Sequence, residues 1–201
     1  AGCSLNLSWN FPRRKRDREG DRLNVFPEEN RIEKNQVYEA DCVDVLKRLH
    51  SESVDLIIAD PPYYHMRGEF DFVFQSVQEY LDWCSVWAAE CCRILKPTGA
   101  FYCWGSSQMI EILSVIVLDK LEWIKRNLIV WNYGTGRPGK AIYRNEADFL
   151  WYYSKPFHEI RHDEIRIPYH AGGEKDKRKN PKGKSCGNVW EYPRVMPNYK
   201  E

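Results

Sequence analysis

The sequence predicts an α/β domain built on a mostly parallel sheet, and three observations carry that expectation. The run "VDLIIAD", residues 54–60, is almost continuously apolar over strand length, as a strand covered on both faces requires. After it, Tyr80, Trp83, Cys84, Trp87, Cys91 and Ile94 recur at helical spacing. Strands and helices then go on alternating, with "AFYCWG" a strand, "QMIEILSVIVLD" a helix and "KRNLIVWNY" another strand.

The remaining elements follow in chain order. Residues 1–34 are polar, charged and aperiodic, which reads as an arm, so the ordered domain is expected to start near Asn35. "QVYEAD" is a short strand, and Asp41 can cap a helix through "CVDVLKRL" with Asp44 in its first turn. "KPTG" is the stop signal of the long helix. From Arg144 onward "EADFLWYYS" and "HEIRHDEIRIPY" look extended and antiparallel, and residues 171–201 form a loop-rich basic tail. The expected division is an arm over 1–34, the α/β domain over 35–155 and an extension over 156–201.

At 201 residues the chain supports one core of ordinary size with an appendage. A net charge of +1 announces no acidic partner overall. The basic residues are concentrated, however, in "RRKRDR" (Arg13 to Arg18) and "EKDKRKNPKGK" (Glu174 to Lys184), which suit either solvated loops or phosphate contact. Seven cysteines without a C-x-x-C pair fit a reduced, cytoplasmic protein rather than a disulfide framework. No apolar stretch approaches membrane-spanning length.

The informative stretch is "LIIADPPYYH", where a buried strand ends in Asp60, Pro61, Pro62 and Tyr63. In open parallel sheets ligands collect beyond the carboxyl ends of strands. A stiff Asp-Pro turn is one reading. Methyl transfer to an exocyclic amine supplies another, because that nitrogen's lone pair is delocalised into the ring. The Asp60 carboxylate can accept one N–H and the Pro61 carbonyl the other, favouring a more tetrahedral nitrogen and stabilising the charge that develops on it. Two prolines fix φ, so the carbonyl is held, and Tyr63 offers a face on which a flipped base can stack.

These residues resemble the catalytic motif of the DNA amino-methyltransferases, and the resemblance extends through "DCVDVLKRLHSESVDLIIADPPY", "RILKPTGAFYCWG", "RNLIVWNYGTG", "YRNEADFLWYYSK" and "NVWEYPR". From about Val37 to Arg194 the chain is most similar to the RsrI-type adenine enzymes, which place this motif first. The resemblance implies a Rossmann-like methyltransferase sheet, S-adenosylmethionine as cofactor, double-stranded DNA as partner and N6 of adenine as acceptor. The cytosine-N4 enzymes usually carry Ser where Asp60 stands. It also implies that Asp41 and Cys42, with Asp60 and Pro61, line the cofactor, whereas read alone Asp41 is a helix cap and Cys42 a core thiol. Tyr143, Arg144 and Asn145 fall in a segment on the target-base side. Arg137 and Lys140, together with Lys175, Lys177, Arg178, Lys179 and Arg194, are the expected DNA contacts.

Two patterns argue for other chemistry and fail on context. "GTGRPG" (134–139) fits G-x-G-x-x-G, but a nucleotide loop must open a helix and Arg137-Pro138-Gly139-Lys140 leads into extended chain. "HEIRH" (158–162) fits a zinc-hydrolase pattern, which needs a helix; in a strand, residues four apart lie about 13 Å apart, too far for one ion. No metal is expected. The family's Phe-x-Gly-x-Gly strand end, which carries much of the cofactor site, does not occur in the chain. The sheet is therefore expected to be incomplete, with that glycine-rich motif supplied by a further segment or a second chain. The alternatives are a DNA-binding or regulatory half of a split methyltransferase, inactive alone, and a cytosine-N4 enzyme.

Overall fold

The computed structural model, which describes residues 4–7, 24–25, 35–65, 73–169 and 178–194, places Val54–Ala59 inside a sheet between two parallel neighbours. The strands in chain order are β1 (Ser4–Leu7), β2 (Asn24–Val25), β3 (Tyr38–Glu39), β4 (Val54–Ala59), β5 (Leu95–Gly105), β6 (Ile124–Asn132), β7 (Ala147–Ser154) and β8 (Val189–Glu191). The helices are α1 (Cys42–Arg48), α2 (Val77–Ile94) and α3 (Ile110–Ile116), with one 3-10 turn at Leu118–Lys120. Two units are distinguished. The first comprises Ala1–Leu128 with Asp148–His158, and the second Ile129–Ala147 with Glu159–Glu201.

In the first unit the strand order is β1-β4-β5-β7-β6, while β2 and β3 pair separately. β4 is parallel to both β1 and β5, and β7 runs antiparallel to β5. β1 comes from the stretch read as an arm, and its pairing of Ser4 with Leu56 through Leu7 with Ala59 covers one edge of β4. The result is a Rossmann-like, mostly parallel sheet. Asp41 caps α1, its Oδ1 accepting from the Val43 amide at 2.9 Å and the Asp44 amide at 3.2 Å.

α2 forms because its apolar residues fall on one side. Tyr80, Leu81, Cys84, Trp87, Ala88, Cys91 and Cys92 are buried, Ser76 caps the start by accepting from the Glu79 amide at 3.1 Å, and Glu79 accepts in return from the Gln75 amide at 2.7 Å. Near its other end Arg93 donates to the carbonyls of Leu46 and Leu49, both at 2.9 Å, and so satisfies the end of α1.

The helix ends just before "KPTG", with Leu95 as its C-cap. α2 stops at Ile94 and β5 begins at once, with Lys96–Gly99 accommodated by a register irregularity: Val54 pairs with Leu95, but Leu56 pairs with Ala100. Pro97 has no N–H to lose there, and its carbonyl accepts from the Phe157 amide at 3.1 Å.

One sheet face carries the helices. Ile57 and Ala59 of β4, Phe101 and Cys103 of β5 and Trp151 and Tyr153 of β7 alternate onto it. Trp87 of α2 meets Phe101 at 6.5 Å between ring centroids, Phe101 stacks on Trp123 at 4.4 Å, and the Trp151 indole donates to the Ile110 carbonyl of α3 at 3.2 Å. The Tyr153 hydroxyl donates to Asp119 Oδ1 at 2.6 Å and lies 2.8 Å from Ser114 Oγ, while Lys125 donates to Ser114 at 2.6 Å and pairs with Asp119 at 3.1 Å. This network anchors α3 and the turn after it to the sheet.

In the second unit Val130, Trp131 and Asn132 of β6 pair parallel with Val189, Trp190 and Glu191 of β8. Within residues 158–169, expected to be extended, the chain instead turns over 161–165. The Glu164 amide donates to the Arg161 carbonyl at 3.0 Å, and the pairs Arg161–Glu164 and Arg166–Asp163 have i,i+3 spacing. Local ionic and turn contacts prevail over the alternating pattern. Antiparallel pairing among the described residues of this stretch is the bridge between Ile167 and Lys184.

Tyr153→Phe deletes one buried hydroxyl of a connected network and leaves the ring in place. It is expected to lower the free energy of unfolding by about 1–2 kcal/mol in urea titration, with an unchanged m-value.

Candidate active site

β4 ends at Ala59, opposite Cys103 of β5, so Asp60 is the first residue beyond the carboxyl end of an interior strand. Its side chain is exposed, whereas Pro61 and Pro62 immediately after it are buried. The carboxylate is thus presented from a stiff, packed base. Tyr63 is half-buried and its hydroxyl donates a hydrogen bond to the Asp60 carboxylate. Burial, then the charge of Asp60 and that hydrogen bond, hold the Tyr63 phenol well above the ordinary tyrosine range, with Asp148 and Cys103 adding to the effect. Tyr63 is a neutral donor at any physiological pH.

The turn continues with Tyr64 stacked on His65, ring centroids 4.0 Å apart and 12° between planes. His65 adopts a left-handed backbone, φ 53°, and its Nε2 lies 3.2 Å from the Phe74 carbonyl. That conformation is uncommon for a residue with a side chain, and here it folds the chain back toward the start of α2. The structure therefore brings Asp60 and Tyr63 together on a rigid turn, with a carboxylate and a phenol on offer and the Pro61 carbonyl between them in sequence.

The residues read as lining a cofactor are divided. Asp41 is exposed and uses Oδ1 for the cap. Cys42 is buried in the core, and burial together with the Asp41 charge pushes its thiol up to about 12. It can offer a ligand its backbone but not a thiolate.

The expected DNA contacts lie mainly in the second unit. Arg137, Lys140, Tyr143, Arg144 and Asn145 are all exposed, Tyr143 at 99%. Arg144 pairs with Glu146. Gly134 has a φ of 68°, and a Cβ at Gly136 would lie 2.1 Å from the Asn145 carbonyl oxygen, so the two sides of this loop approach where only glycine fits. No helix follows "GTGRPG". Arg194 lies over the Tyr133 ring at 3.6 Å, Lys179 lies 5.0 Å from the Tyr169 ring, and Arg178 is exposed. Lys175 and Lys177 fall outside the described residues.

Residues 158–162 are not helical, and His158 Nδ1 lies 2.8 Å from the Thr98 carbonyl oxygen. Among the described residues no three His, Cys, Asp or Glu side chains converge on a point that a metal ion could occupy. None of the described helices is long and apolar enough to cross a membrane. One acid at the site was missed from sequence. Asp148, at the start of β7, acts on the Tyr63 hydroxyl, and the signal that could have found it is the alternation in "EADFLWYYS".

Thiol reactivity checks the burial of Cys42. With a pKa of about 12, only about one molecule in ten thousand carries the thiolate at pH 8, and the fraction rises about tenfold per pH unit. In the folded protein at pH 8, mass spectrometry after a brief iodoacetamide pulse is expected to find Cys186 alkylated and Cys42 unmodified. Cys42 modification should appear on denaturation.

The fold agrees with comparisons against known proteins. The family model for DNA methylase (N6_N4_Mtase) matches residues 54–201. The type II methyltransferase M.ScaI of Streptomyces caespitosus is 28% identical over 180 residues, covering 82% of this chain and 57% of its own length. The DNA adenine methyltransferase YhdJ of Escherichia coli (strain K12) is 32% identical over 176 residues, covering 81% of this chain and 59% of its own. The chain thus spans a little under three fifths of the length of these relatives. The solved structure of the PvuII DNA methyltransferase (cytosine-N4-specific) matches with a TM-score of 0.58 at 17% identity, over 80% of this chain and 58% of that one, a likeness of fold. The chain belongs to the DNA methylase family, whose methyl donor is S-adenosylmethionine.

Proposed function

We propose that this chain is the catalytic, target-binding part of a DNA methyltransferase that acts on N6 of an adenine flipped out of double-stranded DNA. The observation that carries this reading is the exposed Asp60 carboxylate, held on two buried prolines at the end of β4 and accepting the Tyr63 hydroxyl. An acid at that place is suited to a primary amine with two N–H donors. The DNA is held in this reading by the exposed basic and aromatic residues of the second unit, Arg137, Lys140, Tyr143, Asn145, Arg178 and Arg194 among them. Lys175, Lys177 and Lys179 extend that basic surface in sequence, and Arg144 contributes on release from Glu146. A cytoplasmic location follows from a DNA substrate and from the reduced thiols.

When bound, S-adenosylmethionine supplies an electrophilic methyl group on a sulfonium. Asp41 fits such a ligand, because its capping bonds engage only Oδ1 and its side chain is exposed. Cys42 fits through its backbone alone. The remainder of that site, the glycine-rich strand end, is assigned to a further segment or a second chain.

The amine itself is the nucleophile, so no covalent enzyme intermediate is needed. Asp60 accepts one N–H of the amine and the Pro61 carbonyl the other, which turns the nitrogen lone pair out of conjugation and stabilises the positive charge that develops on nitrogen. Pro62 fixes the direction of the Pro61 carbonyl. The Tyr63 ring stacks the base, and its hydroxyl aligns the carboxylate.

Asp60→Ala is expected to lower single-turnover methyl transfer to DNA by about a thousandfold or more while binding of the same duplex changes less than about threefold. Equal losses in both would mean that Asp60 serves binding. At Tyr63, Phe should keep activity within about tenfold of wild type because the stacking face remains, whereas Ala should lose about a hundredfold. If Phe and Ala are equally impaired, the hydroxyl and not the ring is the contribution.

A further inference from the structure

A second carboxylate stands on the Asp60 side of the sheet. Along β4 and just past it, Ile58 and Asp60 point to one face, opposite to Ile57 and Ala59. Ile58 pairs with Tyr102 and Tyr102 with Tyr152, the two tyrosine rings stacked at 4.8 Å, so this face continues across β5 and β7. Trp104 of β5 pairs with Leu150 of β7. Because β7 runs antiparallel, Asp148 lies two residues beyond Leu150 in the direction of the β5 carboxyl end, on the same face again. Register and alternation therefore put Asp60 and Asp148 on one face and at one end of the sheet, separated by β5.

This face is not the one that carries the helices, so neither acid is buried against α2 or α3. Asp148 is half-buried, and its charge acts on the Tyr63 hydroxyl, which donates to Asp60. The charged or titratable groups that act on this hydroxyl are Asp60 at the end of β4, Asp148 of β7 and, from the other face of β5, Cys103, while Tyr63 in turn acts on Tyr80 of α2. The phenol has one proton to give, and it donates it to Asp60 within the field of Asp148.

We propose that Asp148 is a positioning residue of the active site, which faces the Tyr63 hydroxyl from β7 while Asp60 faces it from β4 and thereby sets the orientation of the ring on which the target base stacks. The proposal rests on the methyltransferase reading given above for its catalytic consequence, but not for the contact itself. Its negative charge also adds to that of Asp60 where the amine becomes positive, so turnover depends on Asp148 more than DNA affinity does.

The test places a trifluorotyrosine, whose phenol is far more acidic than tyrosine, at position 63 of the full chain and follows its ionisation by absorbance and 19F resonance. In Asp148→Asn the ionisation constant should rise about threefold or more relative to the same chain with Asp148, and Asp148→Glu should restore it. Asp148→Ser serves as a second removal should the Asn variant not fold. In parallel, with Tyr63 unaltered, single-turnover transfer to DNA should fall about tenfold in Asp148→Asn and recover in Asp148→Glu, with KM for DNA within about threefold. Identical titrations with and without Asp148 overturn the proposal, and so does a moved titration with unchanged turnover. If the wild-type chain, completed with any partner segment it requires, transfers no methyl group to adenine, the functional reading fails, and the titration still decides whether Asp148 acts on Tyr63.

Discussion

The pairing of β4 with β5 is the constraint on which the site depends. Leu56 through Ala59 meet Ala100 through Cys103 residue for residue, so the end of β4 falls in step with its neighbour and Asp60 emerges on the face without helices. A slip of one residue would turn Asp60 toward the layer that holds Trp87, Phe101 and Trp123, where an unpaired carboxylate costs several kcal/mol. The irregularity between Val54 and Leu56 keeps this register while admitting Lys96–Gly99. An ion pair from Lys96 to Asp55 at 2.9 Å ties the irregular stretch back to β4.

On that base, stiffness and charge act together. Pro61 and Pro62 are packed, so the carbonyl between them has little freedom, and the adjacent carboxylate is aligned by a phenol that stays protonated. The same burial that keeps Tyr63 neutral keeps the neighbouring thiols inert. Cys103, Cys84 and Cys42 are all raised above the ordinary thiol range, chiefly by desolvation. Inert thiols are compatible with the proposed reading, in which the amine itself is the nucleophile.

What could be read from the sequence was what periodicity carries. The apolar face of α2, the strand at 54–59 and the cap at Asp41 each depend on residues close together in the chain, and each stands where spacing placed it. The turn at Asp60 was legible because its meaning lies in adjacent residues. Features that depend on distant partners were not. Nothing near Ser4 announces that it pairs with Leu56, and nothing near Asp148 announces that only β5 separates it from Asp60. The turn over 161–165 was hidden by an alternating pattern whose acids and bases also fit i,i+3 pairs. α3 ends at Ile116, short of the apolar run, within the β-branched stretch Val115–Ile116–Val117 that resists helix.

The central claim is that the Asp60 turn presents an adenine amine to the methyl donor. The most direct measurement is to supply the protein, completed with any partner segment it requires, with duplex DNA and S-adenosylmethionine labelled in the methyl group, and then to identify the modified nucleoside by digestion and mass spectrometry. Label in N6-methyladenosine, with none in cytosine, is the predicted result. Label in N4-methylcytosine, or in no base at all, would contradict it.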